Sequence, residues 1–248
     1  MQMPDETSAP TRLAPMLAGV AALLCVLTGG WWFGHSGDLH QVLNLEVAGH
    51  LEHVSPAQVA TVLGDSIDGG FLSLDLEAAK REVESLPWVA RARAERYWPA
   101  GIRVQVWERE PFARWGSRQL LDTNAHAFTP AASDLPLQLP ALDGPAGRER
   151  DVMDAYRRFS ARLANTPFAL AGLTLDARGE WSALAQNGIG IRLGRTAPDQ
   201  KFEMLLNTVS KALSDHLQQV AYVDLRYTNG FAVGWKEQPQ PSAGETHG

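Results

Sequence analysis

From Leu13 to Gly34 the chain runs for 22 residues without a charge, and beyond that run apolar and polar positions are interleaved. A helix of that length reaches about 30 Å at roughly 1.5 Å per residue, the thickness of a bilayer's hydrocarbon core, so residues 13–34 predict one membrane span. A cleaved signal peptide is the competing reading. The run is too long for one, lacks a small-x-small cleavage signal, and closes on Trp31-Trp32-Phe33, residues that suit a headgroup anchor. A buried globular helix would carry a polar stripe, and here only Thr28 is polar. Arg12 precedes the run, whereas no Lys or Arg occurs from His35 to Ala79. The positive-inside rule therefore puts the arm 1–12 in the cytoplasm and the bulk of the chain on the far side, which in a bacterium is the periplasm or cell exterior.

The rest divides by its periodicities. Val42, Leu43, Leu45 and Val47 read as a short strand, and Ser55-Pro56 opens a short helix with an N-cap followed by proline at the first helical position. After Asp68-Gly69-Gly70, Asp75 caps a second helix whose Leu76, Ala79, Val83 and Leu86 share one face. Val89 to Tyr97 is extended, Pro99-Ala100-Gly101 turns the chain, and Ile102 to Val106 alternates as a half-buried strand does. The order strand, helix, helix, strand, strand predicts two helices on one face of a three-stranded sheet. From Glu110-Pro111 the character changes to turn-rich and proline-rich segments, and a second domain begins. It holds a helix near Arg148 to Ala164, and strands at Ala171 to Ala177, Trp181 to Gln186 and Gly190 to Leu193. A long amphipathic helix between Pro198 and Gln218 carries Phe202, Leu205, Leu206, Val209, Leu213 and Leu217 as its stripe. Thr228-Asn229-Gly230 between two apolar runs predicts a tight hairpin, because both central residues tolerate positive φ. Residues 237–248 are polar with prolines and read as a disordered tail.

Charge and chemistry narrow the classes. The net charge of −6 argues against a nucleic-acid surface. Cys25 is the single cysteine, which excludes an internal disulfide and a thiolate metal cluster. His35, His40, His50 and His53 lack the spacing of a metal-binding helix, and no nucleophile elbow, phosphate loop or His-Glu-x-x-His occurs. Neither a catalytic site, a metal site, a cofactor nor a small-molecule substrate is expected.

A family resemblance is carried by Leu86-Pro87-Trp88-Val89, Tyr97-Trp98-Pro99, Ile102 to Glu108, Pro111 to Trp115, Leu121-Asp122 to Phe128, Ile191 to Arg195 and, above all, Val223-Asp224-Leu225-Arg226-Tyr227-Thr228-Asn229-Gly230-Phe231-Ala232-Val233-Gly234-Trp235. These runs, in this order, resemble the FtsQ/DivIB family of bacterial cell-division proteins. Two departures stand out: Ala125 where the family often has glycine, and Phe231 where a smaller residue is common. The resemblance implies an α+β architecture: a single transmembrane helix, a POTRA domain (β-α-α-β-β) over 40–110, and a β-rich domain with a packed amphipathic helix over 111–236. It further implies a non-catalytic bitopic inner-membrane scaffold at the division septum. Such a scaffold links early and late division proteins, binds FtsB and FtsL, and helps control septal peptidoglycan synthesis.

By the same resemblance a strand of FtsB adds to the final strand, whose outer edge nothing later in the sequence is available to cover. Family positions implicated in this contact fall on Arg178, Arg226, Tyr227, Asn229, Gly230, Phe231, Gly234 and Trp235, with Gly230 placed where a side chain would disturb the turn. Arg91 and Arg96 fall in a region the family uses to recruit upstream partners. The plainer readings make Tyr227 and Trp235 core residues of the last hairpin, Arg178 a solvated loop residue, Arg91 and Arg96 a solvated strand face, and Trp88 and Trp98 packing residues. The alternative function is a POTRA-bearing chaperone or translocation factor for envelope proteins, which would pair strands with many unfolded clients; a wall hydrolase is a third.

Overall fold

The computed structural model describes residues 22–31, 44–68, 71, 74–98, 100–196 and 198–236. Residues 22–31 form helix α1, inside the expected span. The rest of that span, the arm 1–12 and the tail 237–248 lie outside the described residues. Among the described residues no helix is long and apolar enough to cross a membrane. The chain separates into a unit ending at Glu108 and one beginning at Arg109.

In the first unit, β1 (Asn44–Ala48) is followed by α2 (Pro56–Val62), α3 (Gly64–Asp68), α4 (Leu76–Glu84), β2 (Val89–Tyr97) and β3 (Gly101–Glu108). Ser55 caps α2 through a capping box with Gln58, and Asp75 caps α4 by accepting the amides of Glu77 and Ala78. Those backbone bonds hold the Asp75 carboxyl below its ordinary pKa. The strands assemble in the order β1-β3-β2, with β1 parallel and β2 antiparallel to β3. Alternation buries Ile102, Val104, Val106 and Ala92, which with Val59, Leu63, Phe71, Ala79 and Val83 form the core. Trp88 is buried and stacks on His53 at 3.7 Å, whereas Trp98 is 69% exposed and touches Phe71 edge-on, so only the first is a packing residue in the sense expected. The carboxylate of Glu108 accepts the amides of Glu52, His53 and Val54 and so ties the β1–α2 connection to the end of β3. Burial raises the pKa of Glu108, but these amides outweigh it and hold the group below its ordinary value.

The second unit contains β4 (Pro111–Trp115), β5 (Gln119–Asp122), β6 (Ala127–Phe128), β7 (Ala141–Asp143), α5 (Glu149–Leu163), β8 (Leu170–Leu175), β9 (Trp181–Ala185) and β10 (Gly190–Gly194). It continues with α6 (Pro198–Met204), a π turn (Leu205–Val209), α7 (Ser210–Ala212), β11 (Val220–Asp224) and β12 (Ala232–Trp235). One nine-stranded sheet results, in the order β12-β11-β10-β9-β8-β7-β4-β5-β6. Its parallel neighbours β7 and β8 are joined through α5, and β10 and β11 through α6 and α7, because a parallel pair needs a long crossover. The apolar faces of these helices, with Phe159 and Phe202 stacked at 3.9 Å, form one core with the inward residues of the sheet.

Three expectations need correction. The stretch from Pro111 to Asp143, read as turns and prolines, supplies four strands, each too short or too interrupted to show a period of two. The helix expected to reach Gln218 ends at Ala212 and contains a π turn. Its buried Leu205, Val209 and Leu213 recur every four residues, and the wider turn keeps such positions on one side better than an α-helix does. Finally, Asn229-Gly230 is not a two-residue hairpin turn. The strands stop at Asp224 and resume at Ala232, and neither Asn229 nor Gly230 has a positive φ. Ala125, by contrast, does sit at φ +65°, so the turn that the resemblance associates with glycine is kept here with an alanine in the left-handed region.

Candidate partner-binding edge

Among the described residues β12 has one neighbour, β11, and is the last strand of the sheet. The pairing runs Asp224 to Ala232, Val223 to Val233 and Tyr222 to Gly234, then shifts at a bulge before Val220 meets Trp235. Phe231 and Val233 pack, half-buried, against the core and anchor the strand from the helix side. On the opposite face Gly234 leaves room for the Tyr222 ring, and a Cβ there would fall inside that ring. The Arg192 guanidinium lies 4.2 Å from the ring centroid, completing a stack of backbone, phenol and guanidinium at the edge.

Asp224 organises the seven residues between β11 and β12. It is 4% exposed, accepts the Arg226 amide at 3.1 Å, and pairs with the Arg226 guanidinium through Nε at 2.9 Å and Nη2 at 2.7 Å. Arg192 Nη1 stands 3.8 Å away, and the Leu225 amide donates to the Arg192 carbonyl at 2.8 Å. The Arg226 hydrogen bonds are the main cause that holds the Asp224 carboxyl below its ordinary pKa, against its burial. Lys201 Nζ donates to the Tyr227 carbonyl at 2.5 Å, fixing the far side of the loop to α6. The backbone is pinned while the Tyr227 ring stays 58% exposed. Trp235 is 52% exposed, with one edge contact to His216 at 6.3 Å. Neither aromatic is a core residue.

The connection between β8 and β9 comes to the same end of the sheet. There the Asp176 carboxylate accepts the amides of Glu180 at 2.7 Å and Arg178 at 2.8 Å, which lowers its pKa and leaves the Arg178 side chain exposed. A groove of ≈ 230 Å³ lined by Asp176, Glu180, Trp181, Arg192 and Arg226 runs between the two connections. Strand direction thus gathers Arg178, Arg226, Tyr227, Asn229, Gly230 and Phe231 at one end, with Gly234 and Trp235 at the other end of β12. Two residue-level reasons change. Arg226 is engaged by Asp224, and Gly230 has open space where its Cβ would be, so a side chain there disturbs nothing within 4 Å. Tyr222, Arg192 and Asp224 escaped sequence reasoning, although the two-residue spacing of Asp224 and Arg226 is the signal that could have paired them.

Residues 41–109 match the family described as POTRA domain, FtsQ-type, and residues 113–226 the family described as Cell division protein FtsQ/DivIB, C-terminal. The chain is 32% identical to the Cell division protein FtsQ of Coxiella burnetii over 92% of this chain and 91% of the relative. With the protein of the same description from Allochromatium vinosum it shares 33% identity over 91% of this chain and 90% of that one. With the one from Neisseria gonorrhoeae the figures are 29%, 92% and 93%. The chain belongs to the FtsQ family of cell division proteins. Its FtsQ-type POTRA domain separates the two arginines expected to share a surface. Arg91 and Arg96 are five residues apart on β2, so they point to opposite faces. Arg91 lies over Trp107 at 4.1 Å on the open face, while Arg96, also exposed, donates to the carbonyls of Phe71 and Leu74 ahead of α4. In this member of the FtsQ family Arg96 therefore holds the segment leading into α4, while both arginines keep solvent exposure.

Proposed function

We propose that this chain is a non-catalytic scaffold of the bacterial division machinery that captures an extended segment of a partner on the free edge of β12. In this reading residues 13–34 cross the inner membrane once, the arm 1–12 is cytoplasmic, and both folded units lie in the periplasm. The partner is FtsB, in complex with FtsL, and its capture couples early to late division proteins and contributes to control of septal peptidoglycan synthesis. The observation that supports this most directly is the place of β12 as a terminal strand that carries exposed Tyr227 before it and exposed Trp235 at its end. Main-chain bonds to an added strand contribute about 0.5 to 1.5 kcal/mol each and are indifferent to sequence. Selectivity then falls to the aromatic anchors, whose truncation costs about 2 kcal/mol or more, and to Arg178, an exposed cation suited to an acidic partner residue.

The test is retention of FtsB by the full chain in detergent-solubilised membranes. Trp235→Ala and Tyr227→Ala are each expected to lose FtsB at least tenfold while melting as the parent does. Normal retention by both variants would overturn the reading. Transient capture of many unrelated extended peptides, with no stable FtsB complex, would favour the chaperone class instead.

A further inference from the structure

The POTRA sheet also ends on an uncovered strand. β2 is nine residues long and, among the described residues, has β3 as its single sheet neighbour. A strand of that length with one side unpaired is a template for a further strand. Its outer edge is nevertheless occupied at one point: the Ala92 amide donates to the Glu84 carboxylate at 3.0 Å. An amide bonded there faces away from β3, and the regular pairing from Arg91 to Tyr97 turns the Ala94 amide the same way. Glu84 is the last residue of α4, where a negative charge opposes the helix dipole. Its placement is explained by the edge it reaches rather than by the helix it ends.

We propose that Glu84 is an edge guard: by occupying the Ala92 amide it keeps the POTRA sheet closed to another strand, above all to β2 of a second copy of this chain. The segment from Val89 to Tyr97 is self-complementary about Arg93. In an antiparallel two-fold pair Ala92 faces Ala94 and Arg91 faces Glu95 of the other copy, while each Arg93 is already neutralised by its own Glu95 at 2.5 Å. The groove beside this edge, ≈ 530 Å³ and lined by Leu76, Glu77, Lys80 and the β2 residues, leaves the approach open on the side of α4. The further consequence, that the guard leaves β12 as the edge on which partners are taken, rests on the function proposed above.

The experiment is amide hydrogen exchange of the full chain in nanodiscs at a series of concentrations, with sedimentation alongside, for the parent, Glu84→Gln and Glu84→Ala. In the parent the Ala92 amide is protected at least tenfold more than that of Ala94, independent of concentration. Glu84→Gln, which keeps an oxygen acceptor, behaves as the parent. Glu84→Ala loses that tenfold protection when dilute and regains it when concentrated, as dimers form. Equal protection of Ala92 and Ala94 in the parent overturns the proposal without recourse to any variant, and so does a Glu84→Ala chain that stays monomeric throughout. Retention of FtsB, measured on the same variants, tells the two readings apart. A guard that behaves as stated beside a Trp235→Ala chain that keeps FtsB removes the role of β12 and leaves that of Glu84 standing.

Discussion

Replacing Asp224 by Asn tests whether the connection before β12 is held by a buried carboxylate. Asp224 is 4% exposed and receives three donors from Arg226, with Arg192 close by. Hydrogen bonds to a charged group contribute about 1.5–3 kcal/mol, but the Arg226 side chain is 48% exposed and solvent screens its share. The expected loss is about 1–2 kcal/mol near neutral pH, or some 3 to 8 °C in the melting of the second unit. The pH dependence has a definite sign. The folded pKa of Asp224 lies below its ordinary value, so its contribution is complete above about pH 4, near the unfolded pKa, and disappears as pH falls through the folded one. Melting of parent and Asp224→Asn should therefore differ at pH 7 and converge in strong acid. FtsB retention should fall with the variant at pH 7, because the loop that presents Tyr227 loosens. Identical melting curves at pH 7, with unchanged retention, would refute the account of Asp224 as the organiser of this edge.

Other expectations follow from single positions. Ala125→Gly relieves a left-handed alanine, worth about 1–2 kcal/mol, against about 0.4–1 kcal/mol of added chain entropy, so denaturant unfolding should show a net gain of about 0.5–1 kcal/mol. Gly230→Ala should leave stability and FtsB retention unchanged, since the site is open and its φ ordinary. Gly234→Ala should displace the Tyr222 ring, cost about 1 kcal/mol or more, and alter tyrosine fluorescence. Arg96→Ala should lower the melting temperature of the POTRA unit, while Arg91→Ala should not, and the two melts measured side by side decide it.

Most POTRA elements were legible because they are signalled locally: Ser55 and Asp75 cap their helices by reaching amides two or three residues on, and β3 alternates between core and solvent, whereas the short α3 carries no such signal and was not expected. The second unit was less legible for the same reason inverted. β5 and β6 pair with near neighbours but are too short to show a period, whereas β7 is placed by distant partners, Ala141 against Arg114 and Leu142 against Leu173. At the candidate edge, Tyr227 and Trp235 could be named from the chain but not assigned to surface or core. The distinction depends on which face of β11 the loop returns to.

Local chemistry thus decided where α2 and α4 begin, because caps act within a few residues, while the family resemblance singled out Arg226, Tyr227 and Trp235 on either side of the last apolar run. Only the packed molecule decided that Asn229-Gly230 is not the turn, that Arg226 answers to Asp224, that Arg91 and Arg96 part company, and that Glu84 meets the free side of β2. Those outcomes depend on where unpaired backbone groups and buried charges find partners once the sheets have formed, and sequence spacing does not carry that information.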